Sequence, residues 1–241
     1  MGNHLGTVLT WVLILGLLAG LSLWQSFRGM RGKVPPAFVR QQAIAALCEQ
    51  RGLLPGPVNL PNNFEIASPL DNSVFENSFS SPDGGISAAD YWRHDEKNWY
   101  PFSLVAFTIA GLNMPYVAMT RRDMPALPLA WGPQQVGLES IDFNARFMVR
   151  AQDRRSAVML LDEGMMQWLL DCDQVSFEIG GNRVAALVPR RAEPTIRPTP
   201  PMLSNPRQPA PVELELLFKF WDGFVPRVPA LLRTEYAAPT T

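Results

Sequence analysis

Residues 142–170 read DFNARFMVRAQDRRSAVMLLDEGMMQWLL, and the spacing of their apolar side chains changes partway. Ile141, Phe143, Ala145, Phe147 and Val149 recur at every second position, with Asp142, Asn144, Arg146 and Arg150 between them. Successive strand side chains point to opposite faces, so this spacing predicts a strand with one buried face. From Ala157 onward Val158, Leu160, Leu161, Met165, Trp168 and Leu169 recur at three and four, the spacing of a helix face. Asp153 stands where a carboxylate accepts from the free N–H groups of a first helical turn. Gly164 interrupts the run and divides it into two short helices. QVSFEI, GGN and RVAALVP, over 174–189, then read as strand, turn and strand. The order is strand, helix, strand, strand.

Upstream, AFVRQQAIAALCEQRG follows Pro35 and Pro36 and predicts a helix with Phe38, Ala45 and Cys48 near one face and Gly52 at its end. Residues 53–98 are rich in Pro, Asn, Ser, Asp and Gly. They read as a long irregular excursion with a short strand around Asn72–Phe79. Phe102–Ala110, the turn-like GLNM and Pro115–Thr120 read as a hairpin. Met124–Gly132 holds two prolines, with a third next to it at Pro133, and reads as loop. Eight prolines fall between Pro189 and Pro211, the composition of an extended linker or loop. VELELLFKFW then predicts an amphipathic helix that ends near Gly223 and Pro226 and returns to cover the sheet.

The first 27 residues carry no Asp, Glu, Lys or Arg, and Leu5–Phe27 is an apolar run of 23 residues. About 20 helical residues cross a bilayer core. MGNHLG lacks the basic start of a signal peptide, and LWQSFRGMRGK lacks its small-residue cleavage site, so the run reads as an uncleaved anchor. Arg28, Arg31 and Lys33 follow at once. Positive charge marks the cytoplasmic side, so the expected topology is single-pass in the inner membrane, N-terminus outside and C-terminal domain in the cytoplasm. A reducing compartment favours thiols at Cys48 and Cys172. The expected architecture is α+β. An anchor with its basic flank spans 1–33 and a soluble domain 34–188, built on a small mixed sheet with a strand–helix–strand–strand core. A Pro-rich linker at 189–211, a covering helix at 212–233 and a disordered tail at 234–241 complete it.

The chain has 241 residues, 47% hydrophobic and 18% charged, with a net charge of −1. No global basic field exists to hold nucleic acid. His4 and His94 are the two histidines, and no Cys or His spacing suits zinc. No nucleotide-binding glycine motif or nucleophile elbow is present. PDGG at 82–85 reads as a turn. In ADYWRHDEKNWY, Asp90, His94, Asp95 and Glu96 are the candidates for orienting an imidazole base, against a solvated charged segment leading into a strand. Glu139 and Asp142 fall on opposite faces of the expected strand and read as surface polar residues. MMQWLL reads as core. No catalytic, cofactor-binding or metal-binding residue is assigned.

The 142–170 stretch, followed by FEIGGNRVAAL and a final apolar helix, resembles a group of actinobacterial membrane-anchored proteins. FVRQQAIAALCEQRGLLP and FSLVAFTI resemble that group's earlier segments. The element order also resembles the mycobacterial trehalose monomycolate transport factors, which carry one span and a cytoplasmic strand–helix–strand–strand (SHS2) domain. That resemblance implies a non-enzymatic adaptor for an envelope-assembly or transport complex, working beside an RND-type exporter of trehalose monomycolate. Two other classes stay open. A lipid- or small-ligand-binding domain needs an apolar cavity, and an enzyme needs His94 and carboxylates converging in a cleft.

Overall fold

The fold is given by a computed structural model, which describes residues 36–67, 73–94, 99–124, 133–172, 174–190 and 211–238. The apolar run, its basic flank and positions 191–210 of the Pro-rich tract lie outside the described residues. Among the described residues, no helix is long and apolar enough to cross a membrane.

Among the described residues nine strands form one sheet: β1 Leu54–Pro55, β2 Ser73–Ser80, β3 Ile86–His94, β4 Trp99–Thr108, β5 Met114–Arg121, β6 Gln134–Val136, β7 Phe147–Ala151, β8 Ser176–Gly181 and β9 Arg183–Pro189. Their spatial order is β1-β2-β3-β4-β9-β8-β5-β7-β6. Every neighbouring pair is antiparallel. The α+β class holds, but the sheet is large and antiparallel where a small mixed one was expected.

Six helices are described: α1 Pro36–Gln50, α2 Ile141–Arg146, α3 Arg154–Leu160, α4 Glu163–Asp171, α5 Val212–Arg227 and α6 Ala230–Glu235. All six feed one apolar cluster on one face of the sheet. The opposite face carries Tyr91, Phe102, Leu104, Tyr116 and Leu187, covered in part by Leu60, Phe64, Ile66 and Ala67 of the β1–β2 connection. Central strands are thus buried on both faces. This explains why Phe102–Phe107 is a continuous buried run rather than an alternating one.

The expected hairpin of Phe102–Ala110 with Pro115–Thr120 does not form. β4 pairs with β3 and β9, whereas β5 pairs with β7 and β8, so the β8–β9 hairpin lies between them. The 109–113 connection therefore crosses three strand spacings, about 14 Å. It does so beneath the β8–β9 turn, where the Ile109 N–H donates to the Asn182 carbonyl at 2.8 Å. Gly111 turns the chain there with φ +74°.

The opening stretch is also corrected. Its first half is helix α2 for six residues, and strand begins only at Phe147. Ser140 Oγ accepts from the Phe143 N–H at 3.2 Å, and the Asn144 side chain bonds Leu138 through both its carbonyl and its amide. These local bonds override the alternation and leave Ile141 84% exposed. The second half follows the sequence. Asp153 caps α3 by accepting from Arg155 N and Ser156 N, and Asp162 caps α4 ahead of Gly164. α1 ends as expected at Gly52, with Leu53 N donating to Cys48 O and Gly52 N to Glu49 O, a paired C-terminal cap that needs the positive φ of Gly52.

The excursion expected at 53–98 contains three strands, β1 to β3. The strand around Asn72–Phe79 is present as β2, but β3 was missed because Ser, Ala and Asp dilute its β signal. α5 covers the helix-side face as expected, yet continues through Gly223 and Pro226 to Arg227. Positions 234–238 are not free: Asn113 N donates to Tyr236 O at 2.7 Å and Ala238 N to Gly111 O at 3.0 Å.

α5 packs through rings. Phe220 stacks on Trp168 at 5.2 Å, and Phe224 meets Phe177 edge-on at 5.1 Å. Gly223 lets Trp168 in, for a methyl there would sit 2.8 Å from Trp168 Cζ2. Gly223→Ala gains about 1 kcal/mol of helix propensity but overpacks a ring already held by Phe220, Phe224 and Arg227, at about 1–3 kcal/mol. A net fall in melting temperature is expected; a rise would mean that Trp168 moves without strain.

Candidate functional site

The strongest concentration of buried charge lies where α1, α5 and the end of β9 meet β3. Asp90 is 1% exposed. Arg40 of α1 donates to it through Nε at 3.1 Å and Nη2 at 2.8 Å, and also reaches Ser103 Oγ at 3.3 Å. Arg190, just past β9, places Nη1 3.3 Å from Asp90 Oδ2. Its guanidinium lies 4.7 Å from the centre of the Trp92 ring. Glu213, in the first turn of α5, faces Arg40 at 3.6 Å. Two arginines thus face two buried carboxylates, and the charges balance.

A bulge in β2 completes the site. The β2–β3 register shifts between Glu76 and Phe79, and Asn77 adopts φ +47°. Asn tolerates that left-handed conformation better than most residues. The bulge turns Asn77 Nδ2 onto Asp90 Oδ2 at 3.1 Å.

Burial works to raise the Asp90 pKa, but the charge of Arg190 and the bonds from Arg40 outweigh it and hold the carboxyl below its usual range. Burial pulls the Arg190 guanidinium down, against the charge of Asp90. Among the described residues, Arg190 Nε and Nη2 and Glu213 Oε2 are buried without a hydrogen-bond partner.

A second polar anchor lies on the opposite face. Glu178 of β8 accepts from the backbone N–H groups of Glu65 at 2.8 Å, Ile66 at 3.1 Å and Ala67 at 2.5 Å, and from Tyr116 Oη at 2.7 Å. Arg93 donates to the Glu65 and Ile66 carbonyls of the same segment. Burial pushes the Glu178 carboxyl up, while these bonds pull it down. One carboxylate and one guanidinium thereby hold the 65–67 backbone against the sheet.

The residues singled out from sequence do not assemble into an acid–base centre. Asp90 and His94 share a strand face but stand four residues apart, about 13 Å along β3. His94 packs on Trp99 at 4.7 Å. Asp95 and Glu96 lie outside the described residues. The reading of this stretch as a solvated segment is corrected for Ala89–Trp92, which β3 buries, while 95–98 lie outside the described residues. Glu139 and Asp142 are both exposed, but they flank a helix cap rather than lie on a strand. PDGG is a turn, with Gly84 N donating to Ser81 O and Gly85 N to Asp83 Oδ1. Met165 and Leu169 are core. Cys48 and Cys172 are thiols. Burial, with the charge of Asp90, pushes the Cys48 thiol up to about 12, so it is protonated at neutral pH and a poor nucleophile. Arg40, Arg190, Glu213 and Glu178 were not singled out from sequence. Glu178 carried a readable signal, the one charged residue in the strand-like run QVSFEI.

Fold and site together define an α+β domain in which α1 is ion-paired to one face of an antiparallel sheet and α5 is ion-paired to α1. No family model and no curated protein matches the chain. Among solved structures it is similar to the mycobacterial trehalose monomycolate transport factor A, with a TM-score of 0.47 and 13% identity, over 83% of this chain and 98% of that one.

Proposed function

We propose that this chain is a non-enzymatic adaptor, tethered to the inner membrane by residues 5–27, with its α+β domain in the cytoplasm docking a membrane protein of an envelope-assembly or transport complex. The observation that supports this most is the fixing of α1. Eight residues, 28–35, separate the apolar run from α1, and even a fully extended chain of that length reaches only about 30 Å. α1 is in turn bound to the sheet through Arg40 and Asp90. A span that ends at Phe27 would therefore hold the whole sheet, not one loose helix, close to the bilayer. Confinement of that kind raises the effective concentration of domain and partner without any new contact.

The strongly perturbed groups also favour an adaptor. Asp90, Arg40 and Glu178 are occupied with one another or with backbone, Arg190 is ion-paired to Asp90, and none of the four lines the cleft around Asn59 and Trp221 or the one around Gln174 and Lys219. Those clefts have mixed polar and apolar walls, which suits an acyl chain poorly.

The specific case, implied by the resemblance in element order, is an accessory subunit of an RND-type exporter of trehalose monomycolate. The test is purification of the full chain from its native membranes in detergent, beside a chain lacking residues 1–33, with quantification of co-purifying exporter. Enrichment with the full chain and loss without the anchor is the expected result. Equal, background-level recovery with both would remove the transport reading.

A further inference from the structure

At the sheet end opposite to His94, four chain segments and one helix enclose an open cleft of about 650 Å³. That volume is within the range of small-molecule sites. Its walls come from Asn59, the Asp83–Ile86 turn, Thr108, the Asn182–Arg183 turn and Trp221 of α5.

The walls are built rather than loose. Arg183 Nη1 donates to Gly84 O, Gly85 O and Thr108 Oγ1 at 2.9, 3.1 and 2.6 Å, and Nη2 donates to Asn59 O at 2.6 Å. Thr108 N and Ile109 N complete the lacing, onto Gly85 O and Asn182 O. One guanidinium therefore fixes three of the segments relative to one another.

This arrangement selects among ligand chemistries. An anion would need free donors, yet both Nη atoms of Arg183 are engaged and the N–H groups of Gly84 and Gly85 are bonded within their own turn. It would also meet the Asp83 carboxylate, which the Ser81 hydroxyl and Gly85 N–H hold below its usual range. A cation would meet one exposed carboxylate with a guanidinium beside it. What remains suits a neutral ligand rich in hydroxyls. Asp83 accepts from hydroxyls, and the exposed amides of Asn59 and Asn182 both donate and accept. Half-buried Trp221, held by Phe107 at 6.3 Å and by the Arg51 guanidinium 5.8 Å from its ring centre, supplies a flat wall for a ring's C–H face.

We propose that this cleft is a binding site for a neutral sugar, with Trp221 as its platform and Asn59, Asp83 and Asn182 reading hydroxyls. The proposal does not depend on the adaptor reading: a soluble chain with the same cleft would bind equally.

The test uses the full chain in lipid nanodiscs prepared without sugar-headed detergents. Saturation-transfer NMR is recorded with glucose, galactose, maltose and sucrose, and with inorganic phosphate as competitor. Saturable transfer to at least one sugar is expected, undisturbed by phosphate. Two variants bring the signal to the cleft. Trp221→Leu removes the platform, and Asn182→Ala removes an amide while keeping the carbonyl that accepts from Ile109. Each is expected to weaken binding about tenfold. No transfer to any of the four sugars, displacement by phosphate, or unchanged binding in both variants with wild-type circular dichroism would overturn the proposal.

Discussion

Asp90→Ala is expected to lower the stability of the fold by about 3–5 kcal/mol, because it leaves two buried guanidinium groups without their common counter-charge. Arg40 loses two bonds at 3.1 and 2.8 Å, Arg190 its ion pair at 3.3 Å, and Asn77 the acceptor that its bulge is shaped to reach. For a domain of this size the melting temperature should fall by about 10 °C. Heating the full chain in detergent and following its circular dichroism measures this. A fall of a degree or two would mean that the cluster rearranges around the gap.

The same carboxyl gives the account a pH signature. Its folded pKa is depressed, so its contribution is complete above the unfolded value of about 3.9 and is lost as pH falls through the folded one. The stability difference between wild type and Asp90→Asn should therefore be constant from neutral pH down to about 4 and shrink below it. Glu76 lies close by and has its pKa raised, first by burial and in part by the charge of Asp90, so the comparison is made in a Glu76→Gln background, where that coupling is absent.

Glu178→Ala is the second large effect. It withdraws the acceptor from three backbone N–H groups and the Tyr116 hydroxyl at once. Buried donors left without partners cost about 1–3 kcal/mol each, and relaxation of the 65–67 segment limits the total to about 3–4 kcal/mol. Tyr116→Phe removes one of the four bonds and should cost about 1 kcal/mol. Hydrogen exchange separates a local clamp from general damage. In Glu178→Ala the amides of 65–67 should exchange much faster than those of β4. Protection of 65–67 at the wild-type level would show that Arg93 and the apolar contacts of Phe64 hold the segment unaided.

What the sequence disclosed and what it hid have separate causes. Caps and turns were legible because their chemistry is local: Asp153 before α3, Gly52 after α1, and the Gly-rich turn between β8 and β9 each act within a few residues. Strand partnership was not. The run 102–120 has the composition of a hairpin, yet its two strands are parted by a hairpin from seventy residues later, a choice made by tertiary burial on both faces. The alternation at 141–149 misled for the opposite reason, since Ser140 and Asn144 offer the backbone closer partners than a strand does. The ion cluster was least visible. Arg40, Arg190 and Glu213 are unremarked in their own neighbourhoods, Asp90 drew notice only as a neighbour of His94, and the four become a site only when four distant elements converge.

The adaptor reading turns on whether residues 5–27 hold the chain in the bilayer. Alkaline carbonate extraction of membranes from cells making the C-terminally tagged full chain tests this directly. The expected result is that the tagged chain, at its full-length mass, stays in the pellet, while a chain lacking residues 1–33 is released. Release of the full chain into the wash, or a mature product shortened to begin after Phe27, would contradict it.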